Sequence, residues 1–175
     1  MPSPFVVSKP GPDEYAAPFG NYISLISTGD ILATLDSQLQ DALSLLSARP
    51  ESDGDIRYAP RKWSVKEVWG HVCDTERIFS YRALRISRND RTPLAGFEQD
   101  DYVCDGPFGN CRLADLVGEF THIRRATLAL FRSLDECAWL RRGIANQSEI
   151  SVRALAYAIA GHELHHRRIL QEKYL

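Results

Sequence analysis

Residues 151–175 read SVRALAYAIAGHELHHRRILQEKYL. Val152, Leu155, Ala156, Ile159, His162, Glu163, His166, Ile169 and Leu170 recur at spacings of three and four, the period of one face of a helix. Ser151 is its candidate N-cap, and the helix runs nearly to the end of the chain. His162 and His166 stand four residues apart in the stripe, so both imidazoles share one face, one turn apart. Stripe counting turns that face inward. Each neutral imidazole carries a donor and an acceptor, and an apolar interior satisfies neither. A divalent metal resolves the conflict by taking one nitrogen of each ring. The other reading is a hydrogen-bonded pair on a wet face.

Three further stripes precede this one. Asp30 caps a helix carrying Ile31, Leu32, Leu35, Leu39, Ala42, Leu43 and Leu46, which ends at Arg49-Pro50. Ser64-Val-Lys-Glu67 is a capping box with Trp63 and Val68 at the staple positions, and its helix carries Val68, Val72, Phe79, Ala83 and Ile86. A third helix holds Leu113, Leu116, Val117, Phe120, Ile123, Thr127, Phe131 and Leu134. No stretch alternates strictly with period two, which argues against a sheet. The expectation is an all-α chain, a four-helix bundle over residues 28–175. The connections 89–111 and 135–150 read as irregular, and their length permits a topology other than simple up-down. Residues 1–27 hold five of the nine prolines (Pro2, Pro4, Pro10, Pro12, Pro18) and read as an extended arm. Phe5, Tyr15, Phe19, Tyr22, Ile23 and Ile26 would pack that arm on the bundle.

Length and composition narrow the classes. A chain of 175 residues with 44% hydrophobic and 25% charged residues is one ordinary globular domain. The net charge of −2 gives no reason to expect nucleic acid, and the doublets Arg124-Arg125, Arg141-Arg142 and Arg167-Arg168 form no continuous stripe. No apolar run approaches a membrane span, and the N-terminus lacks a signal-peptide h-region. Cys73, Cys104, Cys111 and Cys137 show no CxxC spacing. The expectation is a cytoplasmic, reduced, soluble protein with neither nucleic acid nor membrane as partner.

A metal needs a third ligand. His71 lies beside Val72 on the second helix and can face the same interior. His122 sits about 160° from its helix's stripe, at ~100° per residue. His71, His162 and His166 are therefore the expected ligands, and three protein ligands leave positions open for water or substrate. His165 is a neighbour of that set. His162-Glu-Leu-His-His166 also matches HExxH, but only nine residues follow it, with Glu172 where an extended zincin's third His would stand. Glu119-x-x-His122 and Glu163-x-x-His166 mimic a di-iron bundle, yet the first helix offers no Glu.

Residues 62–88 (KWSVKEVWGHVCDTERIFSYRALRISR), 93–103 (PLAGFEQDDYV) and 151–175, with the opening DEYAAPFGNYISLI, resemble the DinB-like (YfiT-like) metal-binding superfamily. The resemblance covers nearly the whole chain. It implies a four-helix bundle, often a homodimer, with a divalent metal, zinc or nickel, on His71, His162 and His166. It implies a metal-dependent enzyme acting on a small molecule: a hydrolase, or an S-transferase using a low-molecular-weight thiol. The alternative is a non-catalytic metal-binding or stress-response module. Glu67, Asp74 and Glu163 are candidates to orient ring N–H groups or act as base. Arg77, Tyr81 and Arg85 are candidates for binding an anionic co-substrate. The 89–111 loop, with Phe97, Asp100 and Asp101, is a candidate lid.

Overall fold

The computed structural model describes residues 6–175. Among the described residues the helices are α1 (Ala17–Ile23), α2 (Ile31–Leu46), α3 (Val65–Ser87), α4 (Gln99–Asp105), α5 (Leu113–Arg132), α6 (Glu136–Leu140) and α7 (Val152–Lys173). Strands β1 (Arg142–Ala145) and β2 (Ser148–Ser151) form an antiparallel hairpin leading into α7. The expected caps start three of the four long helices. Asp30 Oδ1 accepts from the Leu32 and Ala33 amides at 2.9 and 3.2 Å. Ser64 and Glu67 close their capping box at 3.2 and 2.6 Å, and Ser151 Oγ accepts from the Ala154 amide at 3.0 Å.

The long helices form a ring in which α3 packs along α5 and α7, and α2 packs along the same two. Thus α2 faces α3, and α5 faces α7, across the diagonals. Residues 47–64 and 133–151 make the diagonal crossings, whereas 88–112 joins neighbours. The 135–150 stretch carries a crossing as its length allowed. The 89–111 stretch does not, and the other crossing is the shorter 50–62 region.

Three expectations need correction. The arm is not wholly extended: it holds a 3-10 turn at Pro12–Glu14 and helix α1. Both helical pieces carry proline at their first turn, where the missing N–H costs nothing. The arm does pack, with Val7, Ile23 and Ile26 buried, while Phe5 lies outside the described residues. A small sheet exists, its strands four residues each, too short to show alternation. Its turn puts Asn146 and Gln147 at φ 48° and 62°, the left-handed pair that matches hairpin twist. Finally, the 89–111 loop contains α4, and its Leu94 docks on the hairpin: the Leu94 amide donates to Ile144 O and the Asn146 amide to Leu94 O, both at 2.9 Å.

The core has two apolar parts. One gathers Leu35, Phe79, Ala83, Leu128, Phe131 and the first turns of α7. The other gathers Leu39, Val68, Trp69, Val72, Leu116, Phe120 and Leu170. Between them every long helix contributes buried polar residues: Gln38 from α2, His71, Thr75 and Glu76 from α3, Arg124 and Thr127 from α5, His162 and Glu163 from α7. A polar layer therefore crosses the bundle at mid-height.

Candidate metal centre

The polar layer opens between α3 and α7. His71 on α3 meets His162 and His166 on α7, with His162 Nε2 3.0 Å from His71 Nε2 and 3.1 Å from His166 Nε2. The three ligand atoms all lie within 4.8 Å of one another. His71 and His162 are buried and His166 is half-buried. Trp63 packs on the His71 ring and Tyr22 on the His162 ring, at centroid distances of 5.0 and 5.1 Å.

Burial pushes His71 down to about 4, partly opposed by the Asp100 carboxylate. Burial, then the neighbouring His71 and His165, pushes His166 down to about 3. His162 falls well below the ordinary range by burial, reinforced by the other imidazoles. At neutral pH all three rings are uncharged, the form that ligates a metal. A purely hydrogen-bonded trio fits poorly, because two N–H groups would compete for the single lone pair of His162 Nε2. A cation accepts all three lone pairs at once, so the residues present fit a divalent transition metal.

The structure brings the three expected histidines together and leaves other candidates apart. His165 is half-buried with its ring against Tyr22 and His166, outside the cluster. His122 is exposed, and Glu119 pairs with Arg77, so among the described residues no di-iron set assembles. Glu67 is committed to the capping box and to Arg57, at 2.6 and 2.8 Å. Asp74 pairs with Arg77 at 3.4 Å on the α5 side of α3, and burial raises its carboxyl. Glu163 accepts from Arg167 Nε at 2.8 Å, and its other oxygen is buried with no partner. Burial lifts that carboxyl to about 7 against the pull of Arg167 and Arg124. Arg85 donates to the Tyr81 hydroxyl and to Asp90, and both border a hollow under residues 92–97 that no histidine lines.

Two cavities flank the triad. One of about 460 Å³ is lined by His166, Tyr58, Arg61, Lys62, Asp100 and Tyr174. The other, about 190 Å³, has His71 and His162 in its wall with Phe97 of the loop. Of the three loop residues singled out, Phe97 and Asp100 therefore flank the centre and Asp101 lines neither cavity. Sequence reasoning missed Tyr22, Trp63 and Thr75. Only Thr75 had a signal, standing one turn beyond His71 on the same face.

The fold and the triad define a helical bundle with a preformed set of three imidazole donors. Residues 34–170 match the DinB superfamily, and the chain belongs to that family. Among solved structures it is similar to YfiT from Bacillus subtilis, described as a probable metal-dependent hydrolase with an unusual four-helix bundle topology. The two share 16% identity and a TM-score of 0.70, over 94% of this chain and 90% of that one. No curated protein matches the sequence. Among the described residues no helix is long and apolar enough to cross a membrane.

Proposed function

We propose that the protein is a metal-dependent hydrolase of small molecules whose divalent cation, zinc or nickel, is held by His71, His162 and His166. The observation that carries this reading is the convergence of one ring nitrogen from each of the three histidines, all within 4.8 Å. When bound there, such an ion supplies Lewis acidity and lowers the pKa of water. The chain's own residues do the rest. His71, His162 and His166 would hold the ion, and the two flanking cavities would give a substrate access to it. Among the described residues Asp100 is the one carboxylate lining either flanking cavity; Glu67, Asp74 and Glu163 line neither. In this reading its carboxylate would take a proton from the attacking water and return it to the leaving group. Trp63, Tyr22 and Phe79 pack around the imidazoles and hold their rings in place.

A second reading, thiol S-transferase, is favoured by Arg61 and Lys62 on the wider cavity, which suit an anionic low-molecular-weight thiol. Elemental analysis of the purified protein tests the shared premise. One divalent ion per chain is expected, with His162→Ala retaining under a tenth of it. Equal metal in both proteins would refute the three-histidine centre. Cobalt substitution then separates the chemistries: a thiolate charge-transfer band on adding low-molecular-weight thiols supports the transferase. Its absence, with chelator-sensitive cleavage of esters or amides, supports the hydrolase.

A further inference from the structure

The smaller cavity beside His71 and His162 differs in chemistry from the wider one. Its walls are aromatic: Phe19 and Tyr22 from α1, Phe79 from α3 and Phe97 from the loop. Phe19 and Phe79 touch at a centroid distance of 5.6 Å and form a joined apolar wall, while the exposed amides of Gln99 and Asn146 stand at the rim. Among the described residues no Lys, Arg, Asp or Glu lines it. An apolar protein cavity of roughly 150 Å³ is large enough to take benzene. At about 190 Å³, this one holds a ring with a short substituent.

Among the described residues, one fully buried polar atom in that lining has no partner. Thr75 is 2% exposed, and its Oγ1 is buried without any hydrogen bond. Threonines inside helices usually fold the hydroxyl back onto the carbonyl one turn earlier. Thr121 does so, donating to Val117 O at 2.9 Å. Thr75, one turn beyond His71 on the same face, keeps its hydroxyl free beside the cavity. A buried hydroxyl left unpaired is costly, and the group that pairs it gains a hydrogen bond in a dry setting.

We propose that this cavity binds an uncharged, ring-sized apolar portion of the substrate, with the Thr75 hydroxyl as its buried polar anchor. Thr75 is thus a specificity-determining residue, selecting neutral groups that carry one hydrogen-bond acceptor next to the ring. Cations are excluded because the lining offers no carboxylate and a loaded centre beside it is itself positive, and an anion finds no Lys or Arg there to pair with. Calling the occupant substrate rests on the hydrolase reading above, whereas the binding itself does not.

Calorimetric titration of the full-length protein as purified, with its metal content measured in the same preparation, tests this. The probes are benzamide, benzylammonium and benzenesulfonate, alike in ring and different in charge. Benzamide is expected to bind at least tenfold more tightly than either ion. Thr75→Val should weaken benzamide about tenfold while its Tm holds or rises, because a methyl replaces an unpaired hydroxyl. Thr75→Ser should restore most of the affinity. Absence of benzamide binding, equal binding of the charged probes, or full affinity in Thr75→Val would each overturn the proposal. Benzamide failing to bind a preparation that holds its metal sinks this inference alone. Benzamide binding to a protein that takes up no metal sinks the hydrolase reading alone.

Discussion

Arg124 offers the most demanding test of the polar layer. Its side chain is 0% exposed and that of Glu76 is 3% exposed. Arg124 Nε and Nη2 each reach Glu76 at 2.8 Å, and Nη1 donates to Leu35 O at 2.9 Å and to Gln38 Oε1 at 3.4 Å. Gln38 in turn donates to Ala160 O at 2.9 Å, so the network ties all four long helices. Arg124→Met removes one charge and strands the Glu76 carboxylate in a dry interior. Breaking one side of a buried pair typically costs about 3–5 kcal/mol. For a chain of this size that lowers Tm by about 10 °C. The double variant Arg124→Met/Glu76→Met removes both charges, leaving Leu35 O and Gln38 Oε1 each short of a donor at about 1 kcal/mol. It should therefore be more stable than Arg124→Met alone. Urea unfolding followed by far-ultraviolet circular dichroism gives all four corners of the cycle. A cost below about 1 kcal/mol for Arg124→Met, or a double variant equal to the sum of the singles, would show that the pair is not a dry, coupled unit.

Three other outcomes follow from particular contacts. Burial pushes the Glu14 carboxyl up, but the Arg153 guanidinium, the Gly11 amide and the Ser151 hydroxyl together bring it down to about 2, from 4.5. A depressed acid stabilises the fold fully above 4.5 and loses that contribution as pH falls towards 2, a span worth at most about 3 kcal/mol before solvent screening reduces it. Glu14→Gln should therefore lower Tm at pH 7 and flatten the acid limb of the stability profile; parallel profiles for the two proteins would contradict this. A Cβ at Gly161 would sit 2.1 Å from Tyr22 O, so Gly161→Ala must push α1 off α7. The expected cost is about 1–3 kcal/mol, with weaker metal uptake because Tyr22 packs on His162. Unchanged stability and uptake would mean that α1 does not support the centre. Chelation should lower the Tm of the wild type, by about 2.7 kcal/mol of lost stabilisation if the ion is present at a hundred times its Kd. The Tm of His162→Ala should ignore the chelator, and an equal drop in both would place the metal elsewhere.

The long helices were legible because their caps and stripes are local. Ser64 with Glu67, Asp30 and Ser151 each announce a start within four residues. The histidine triad was legible for a related reason: His162 and His166 need only helical period to share a face, and His71 needed only to border its own stripe. What was hidden depends on distant partners. The hairpin is short, and its pairing includes Leu94 from another loop. Helix α1 hides behind prolines because the surface it covers, Gly161, lies far along the chain. Arg124 looked like half of a basic doublet, but it is buried against Glu76, and Arg167 pairs with Glu163 and Asp41. Charge patterns read along a sequence do not reveal which charges are spent inside.

The polar layer also explains why the centre sits where it does. A dry interior tolerates ionic and polar groups only when each finds a partner. Glu76, Arg124 and Gln38 satisfy one another on the side of α2 and α5. On the side of α3 and α7 the same layer turns to imidazoles, which satisfy one another only incompletely. Four buried side-chain atoms among the described residues lack any partner, and three of them, Thr75 Oγ1, Thr127 Oγ1 and Glu163 Oε2, belong to this layer. Local rules of satisfaction fail in folded proteins mainly where function has a use for the failure. Here the unmet demand faces two ways: three nitrogen lone pairs converge on one point, and a free hydroxyl stands beside the adjoining aromatic cavity. A cation answers the first and a neutral polar ligand the second, so the two halves of the site are predicted to fill independently, each measurable without the other.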